Sequence, residues 1–190
     1  MTNFINLAYG SNLHPVRLAE RCPSARLVGT GLLPGWRLAF QKRSTDRSGK
    51  CDAIRTGNPG EGIWVAVYEI PEDEKAALDA AEGLGKGYHE EEIEIEVSGA
   101  KIRGSLYVAD QAAIDPKLRP YDWYKAMVLL GAEYHSFPVD YIGGIRTVQA
   151  IPDTNGHRSE EGWRIVRALE TANQALQRIA SSAGALPATR

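Results

Sequence analysis

The alternating run Phe4-Ile5-Asn6-Leu7-Ala8 ends in Tyr9-Gly10-Ser11-Asn12-Leu13, and His14-Pro15-Val16-Arg17-Leu18-Ala19-Glu20-Arg21 follows at once. The alternation is that of a half-buried strand. Pro15 suits the first turn of a helix, where a missing N–H costs nothing. The chain must therefore pass from strand to helix within Gly10-Ser11-Asn12. A turn that tight aims several backbone N–H groups in one direction. It makes a cradle for a carboxylate or a polarised carbonyl without any cationic side chain.

Further strands are expected. Ala25 to Leu33 and Trp36 to Gln41 flank the turn signal Pro34-Gly35. Lys42 to Lys50, rich in Ser, Arg and Asp, reads as an exposed loop, and Cys51 to Thr56 as a weak strand. After the turn cluster Gly57-Asn58-Pro59-Gly60-Glu61-Gly62, Ile63 to Ile70 is the strongest strand, closed by Pro71. Pro71-Glu72-Asp73-Glu74 opens a helix, with acids where the macrodipole favours them, and Gly83 stops it just after Glu82. Gly83 to Gly87 is a loop. Tyr88 to Val97 and Lys101 to Ala109 form a strand pair around Ser98-Gly99-Ala100. Asp122 to Tyr134 is helical. From Ser159 to Ser182, Ile165, Leu169, Ala172, Leu176 and Ile179 recur every three or four residues as the apolar seam of a long helix, and the tail from Gly184 is expected to fray.

At 190 residues, with no internal repeat and no second core, the chain reads as one domain, residues 1–150, carrying a helical extension and tail, residues 151–190. A net charge of −2 without a basic block argues against nucleic acid as the main partner. No apolar run approaches the ~20 residues of a membrane span, and no secretory signal is recognisable. Cys22 and Cys51 fit neither a metal nor a redox spacing, so both read as reduced thiols of a cytoplasmic protein.

Several chemistries lack support. Gly29-Thr30-Gly31 and Gly83-Leu84-Gly85-Lys86-Gly87 neither follow a strand and open a helix nor end in Gly-Lys-Ser/Thr, so they are turn glycines rather than nucleotide loops. His14, His89, His135 and His157 form no i, i+4 pair and no Cys/His cluster, and read as surface or loop histidines rather than metal ligands. There is no Gly-x-Ser-x-Gly elbow for a hydrolase triad. Taken singly, Glu82 would be a solvated helix-end carboxylate, and Tyr88, Tyr107 and Tyr124 core tyrosines.

In order, however, Tyr9-Gly10-Ser11-Asn12-Leu13, Arg21-Cys22-Pro23-Ser24-Ala25, Leu78-Asp79-Ala80-Ala81-Glu82-Gly83, Tyr88, Ser105-Leu106-Tyr107 and Tyr124-Lys125-Ala126-Met127-Val128-Leu129-Leu130-Gly131-Ala132 resemble the gamma-glutamylcyclotransferase family over residues 4 to 145. The resemblance implies an α+β fold, a mixed, partly closed β-barrel with surrounding helices, here with a long C-terminal helix added. It implies a small-molecule γ-glutamyl substrate whose α-amine attacks its own γ-carbonyl, giving 5-oxoproline and a free amino acid with no metal or organic cofactor. Glu82 corresponds to the family's catalytic glutamate, the general acid/base. Tyr9, Gly10, Ser11, Asn12 and Leu13 correspond to its substrate loop, and Tyr88, Tyr107 and Tyr124 to pocket tyrosines.

The glycine-rich segment between Glu82 and Tyr88 is one residue shorter than in some relatives. Glutathione-specific relatives carry Leu where this chain has Asn12, which argues against glutathione. Two rivals share the fold: the same chemistry on a γ-glutamyl amine or isopeptide, and a non-catalytic binding module. The extra helix is expected to pack on its own domain rather than pair two chains, although monomer and homodimer both remain open.

Overall fold

The computed structural model describes residues 2–183. Along the chain run β1 (Asn3–Ala8), α1 (Pro15–Ala19), β2 (Arg26–Pro34), β3 (Trp36–Arg43), β4 (Gly49–Arg55), β5 (Gly62–Pro71), α2 (Lys75–Glu82), β6 (Tyr88–Val97), β7 (Ala100–Ala109), α3 (Asp122–Tyr134), α4 (Val139–Thr147) and α5 (Gly156–Ala183). The tail from Gly184 lies outside the described residues.

The strand that reads most strongly in the sequence lies inside the sheet. Ile63, Val65, Ala66, Val67, Tyr68 and Ile70 are all buried, so β5 needs cover on both faces and partners on both edges. The five-stranded sheet has the order β2-β5-β1-β7-β6, and β3 and β4 form a separate hairpin. β5 is antiparallel to both neighbours, whereas β1 meets β7 in parallel at Asn6 and Ser105. The sheet curls until its outer strands meet. On β2, a Cβ added to Gly29 would lie 2.6 Å from Val97, and one added to Gly31 would lie 2.6 Å from Ile95. Only glycine allows β2 and β6 to approach that closely. The result is an α+β fold with a half-closed barrel, its helices, and a long C-terminal helix.

The C-terminal helix uses only part of its seam. Ile165, Val166 and Leu169 are buried with Met127, against Trp123, Ala126 and Leu130 of α3. Further along, Leu176 and Ile179 are 41% and 65% exposed. The chain before α5 is held by Asp153, which accepts from the indole Nε1–H of Trp123 at 3.1 Å and pairs with Arg158 at 2.6 Å.

Lys42 to Lys50 is not the exposed loop its composition suggests. β3 runs through Lys42, β4 begins at Gly49, and Lys42 and Ser48 are buried. The polar groups satisfy one another. The Asp46 carboxylate accepts from the Ser48 N–H (2.9 Å), the Ser48 hydroxyl (2.7 Å) and the Lys50 ammonium (2.9 Å). Tyr121 donates to the Asp46 carbonyl at 3.1 Å. A segment whose donors and acceptors are paired internally can be buried at little cost.

His14 and His135 also depart from the surface placement that sequence suggests: the first is fully buried and the second partly so. Both pack among aromatic rings, His14 against Tyr134 and His135 against Tyr68, Tyr134 and Phe137.

Candidate active site

The turn after β1 is a single 3-10 turn over Ser11–Leu13. Its Leu13 N–H folds back onto the Gly10 carbonyl at 3.0 Å. The N–H groups of Gly10, Ser11 and Asn12 take no hydrogen-bond partner among the described residues. Gly10, Ser11 and Asn12 line a narrow cleft of about 20 Å³ together with Asn6, Leu7, Ala8, Tyr9, Cys51, Glu82, Tyr88, Tyr107 and Tyr124. The structure thus gathers eight of the nine expected site residues into one cleft.

Leu13 is the one it places elsewhere. Its side chain is fully buried against α3, where a Cβ on Gly131 would sit 2.5 Å from the Leu13 Cβ. Its carbonyl accepts from the Tyr68 hydroxyl at 2.7 Å and lies 2.7 Å from His135 Nε2. Leu13 therefore anchors the turn from behind. His14 extends that anchor. Its Nδ1 accepts from the Val16 N–H at 3.2 Å, so Nε2 carries the proton and donates to Asn173 Oδ1 of α5 at 3.1 Å. Burial outweighs that bond and pushes the His14 pKa down to about 4, with the neighbouring His135 acting in the same direction, so the ring is neutral. The Asn173 amide also donates to the Leu130 carbonyl at 3.1 Å, which joins α5, α3 and the turn at one side chain.

Glu82 sits in the last turn of α2, which is fixed to the core through Leu78 and ends as Gly83 turns to φ +74°. The Asn12 amide donates to the Glu82 carboxylate, and Arg21 donates to the Asn12 side-chain oxygen. The two contacts fix which way the Asn12 amide faces. Burial raises the Glu82 pKa above the usual carboxylate range. The positive charges of Arg21, Lys42 and Arg17 and the Asn12 bond oppose that rise without cancelling it. A carboxyl group displaced towards neutrality is suited to take up and return a proton.

The tyrosines are mostly committed. Tyr9 donates to the Tyr107 carbonyl at 2.5 Å, Tyr107 to Asp79 at 2.5 Å, and Tyr88 to the Cys51 carbonyl. Tyr124 instead accepts from the Cys51 N–H at 3.2 Å, and its hydroxyl also lies against the Cys51 thiol. Burial is the main cause that raises the pKa of all four phenols, so they are neutral walls and donors rather than bases.

A chamber of about 210 Å³ shares Ser11, Glu82, Tyr88 and Tyr124 with the cleft and is lined further by Arg17, Arg21, Lys42 and Lys50. Sequence reading missed Lys42 and Lys50 because they fall in the apparent loop, and Cys51 because a lone cysteine carries no signal. It also missed Asn6, whose side-chain oxygen is buried without a partner among the described residues. Only Arg21 had a pointer, the Arg21-Cys22-Pro23 motif. A larger cavity of about 320 Å³ lies beside α4, lined by Leu38, Phe40, Tyr141, Ile145 and others. It holds none of the site groups, so the chemistry points to the smaller cleft.

The half-barrel with this cleft defines a class. The model of the AIG2-like family matches residues 62–145. The chain is 27% identical over 175 residues to the gamma-glutamylcyclotransferase of Homo sapiens, covering 89% of this chain and 90% of that protein. It is 26% identical to the Bos taurus gamma-glutamylcyclotransferase over 168 residues, 87% of this chain and 88% of that one. Among solved structures, a gamma-glutamyl cyclotransferase superposes with a TM-score of 0.77 at 25% identity, covering 88% of this chain and 99% of the other. The chain is thus similar to gamma-glutamylcyclotransferases over most of its length, and to the AIG2-like family over residues 62–145.

Proposed function

We propose that the protein is a gamma-glutamylcyclotransferase that converts a γ-glutamyl-amino acid to 5-oxoproline and the free amino acid. The observation that carries this reading is the meeting of the Glu82 carboxyl group, held by Asn12, with the unpartnered N–H groups of Gly10, Ser11 and Asn12 in one cleft.

Glu82, as carboxylate, takes a proton from the α-ammonium of the substrate. The freed nitrogen attacks the γ-carbonyl carbon, and the C–O double bond opens to an oxyanion faced by the turn N–H groups and the Tyr124 hydroxyl. The bond to the leaving nitrogen breaks as the Glu82 carboxyl group returns a proton to it. The attacking nitrogen gives up two protons on its way to the lactam, and the leaving amine gains two on its way to an ammonium, so no net proton is consumed. The tyrosine walls hold the flexible chain folded for ring closure, the entropic part of the barrier.

Residues 1–150 are assigned as the catalytic domain and 151–190 as an extension. The two free thiols suit a reducing compartment such as the cytoplasm.

The test is a panel of γ-glutamyl-amino acids and γ-glutamyl amines incubated with the protein, with 5-oxoproline quantified. Formation from the amino-acid conjugates supports the reading; formation from amines alone moves the protein to the same chemistry on another leaving group; none from either leaves a binding module. For an active protein, kcat/KM should rise with pH through the displaced Glu82 pKa. The acid limb should therefore lie above the ordinary glutamate range.

A further inference from the structure

We propose that the outer chamber is an anion subsite in which Lys42 and Arg21 bind the carboxylate of the leaving amino acid and so determine the preference for charged over neutral leaving groups. The inference rests on the cyclotransferase reading above.

Lys42 is only 7% exposed, and its ammonium lies 4.4 Å from the centre of the Tyr88 ring, a wall shared by cleft and chamber. Among the described residues it makes neither a salt bridge nor a hydrogen bond through its ammonium. Arg21 is partly buried, and among the described residues its side chain bonds only to the neutral Asn12 side chain. The other chamber cations differ: Lys50 is paired with Asp46 at 2.9 Å, and Arg17 with Glu20. Two partly desolvated cations with no carboxylate at salt-bridge distance among the described residues favour an anion beside them.

Glu82 does not complete it. Its charge bears on both cations, but neither reaches it in a salt bridge among the described residues. Counting side chains around the chamber, Arg17, Arg21, Lys42 and Lys50 face Asp46 and Glu82, and the excess is positive.

Geometry assigns the halves of the substrate. A cleft of about 20 Å³ holds about one water molecule and cannot enclose the whole substrate. With the γ-carbonyl at the turn and Glu82, the departing half extends into the chamber of about 210 Å³, where Lys42 and Arg21 are. An amino acid leaving group brings one carboxylate there; a simple amine brings none.

The experiment compares kcat/KM for γ-glutamyl-alanine and γ-glutamyl-alaninamide, which differ by one charge at nearly constant size. The whole chain is used, as wild type, Lys42→Met and Lys42→Arg. Lys42 is varied because Arg21 also holds Asn12. The wild type should favour the alanine conjugate by about 10–100-fold, the worth of a charge-assisted hydrogen bond. Lys42→Met should move that ratio towards one, and Lys42→Arg should retain most of it.

Because Glu82 serves both substrates, a change in its pKa cancels in the ratio. Equal kcat/KM in the wild type overturns the proposal, whether or not any variant folds. So does a Lys42→Met ratio equal to that of the wild type with the acid limb displaced alike for both substrates, since Lys42 then acts only on Glu82. Product from neither conjugate defeats the cyclotransferase reading itself and the subsite with it, an outcome distinct from product formed equally from both.

Discussion

Around Glu82 the buried groups are polar, and most are committed: Asn12 to Glu82, Tyr107 to Asp79, Tyr88 to the Cys51 carbonyl. Along the contact of α3 with α5, Met127, Ile165, Val166 and Leu169 bury apolar surface instead. The first region holds groups in position at some expense in stability. The second supplies stability and contributes only apolar wall, from Met127 and Trp123, to the chamber beside Glu82. Changes in the cleft should therefore alter turnover with little change in melting, and changes in the seam should do the reverse.

The largest expected effect is at Glu82. Glu82→Gln keeps the size and an acceptor but shuttles no proton, so kcat should fall by about 10²–10⁴-fold with KM little changed. Its effect on stability has the opposite sign. A carboxyl group with a raised native pKa favours folding while it is protonated, below its unfolded pKa, and that contribution is lost as pH rises through the native value. Near neutral pH the glutamine variant should melt no lower than the parent, and any advantage should vanish on acidification. A variant with near-full turnover would show that another group carries the proton.

At Gly10 a Cβ would lie 3.3 Å from the Cys51 Cβ and 3.6 Å from the Tyr124 hydroxyl. Gly10→Val should displace the turn against these walls and reduce kcat/KM by roughly 10²-fold, the usual consequence of a displacement near 1 Å, while circular dichroism stays that of a folded protein. Unchanged kinetics would make the turn simple punctuation and end the contrast on the cleft side.

On the seam side, Leu169→Glu places a charge at a fully buried position. It should cost about 3 kcal/mol or more, a drop in Tm on the order of 10 °C. Leu176→Glu, at a largely exposed position, should stay within about 0.5 kcal/mol. The double variant should then melt like Leu169→Glu alone and keep its mass in light scattering. A dimer becoming a monomer would move the exposed end of α5 to an interface.

A milder effect than at Leu169 is expected where the regions touch. Asn173→Ala removes the partner of His14 Nε2–H and the bond to the Leu130 carbonyl. It should destabilise by about 1–3 kcal/mol and, by loosening the turn, lower kcat a few-fold. A lower Tm at unchanged kcat would show that the C-terminal helix supports the fold without reaching the site.

Much of this was legible in the residues. Alternation and turn signals located β1, β5, β6 and β7, and the apolar period located α3 at the bounds observed. Ordered motifs carried the family resemblance, and the residues it pointed to line one cleft, Leu13 excepted. A local pattern reports which face of an element is apolar. It reports neither how many partners a polar side chain will find nor what covers the far half of a seam. Leu13 belongs to the right turn yet faces away, because the Gly131 contact draws its side chain under α3.

The sequence by itself determined the element order apart from α4, where Gly143-Gly144 reads as a break, together with the strand-to-helix turn and the presence of Glu82 at a helix end, because each follows from the periodicity, capping and punctuation of adjacent residues. Tertiary structure alone decided that β2 and β6 meet through Gly29 and Gly31. It alone turned Lys42 and Lys50 inward and brought Asn12, from residues before α1, onto Glu82 at the end of α2. Charge and polarity mark a residue for water only when nothing else can pair with it, and whether a partner exists is settled by segments distant in the chain.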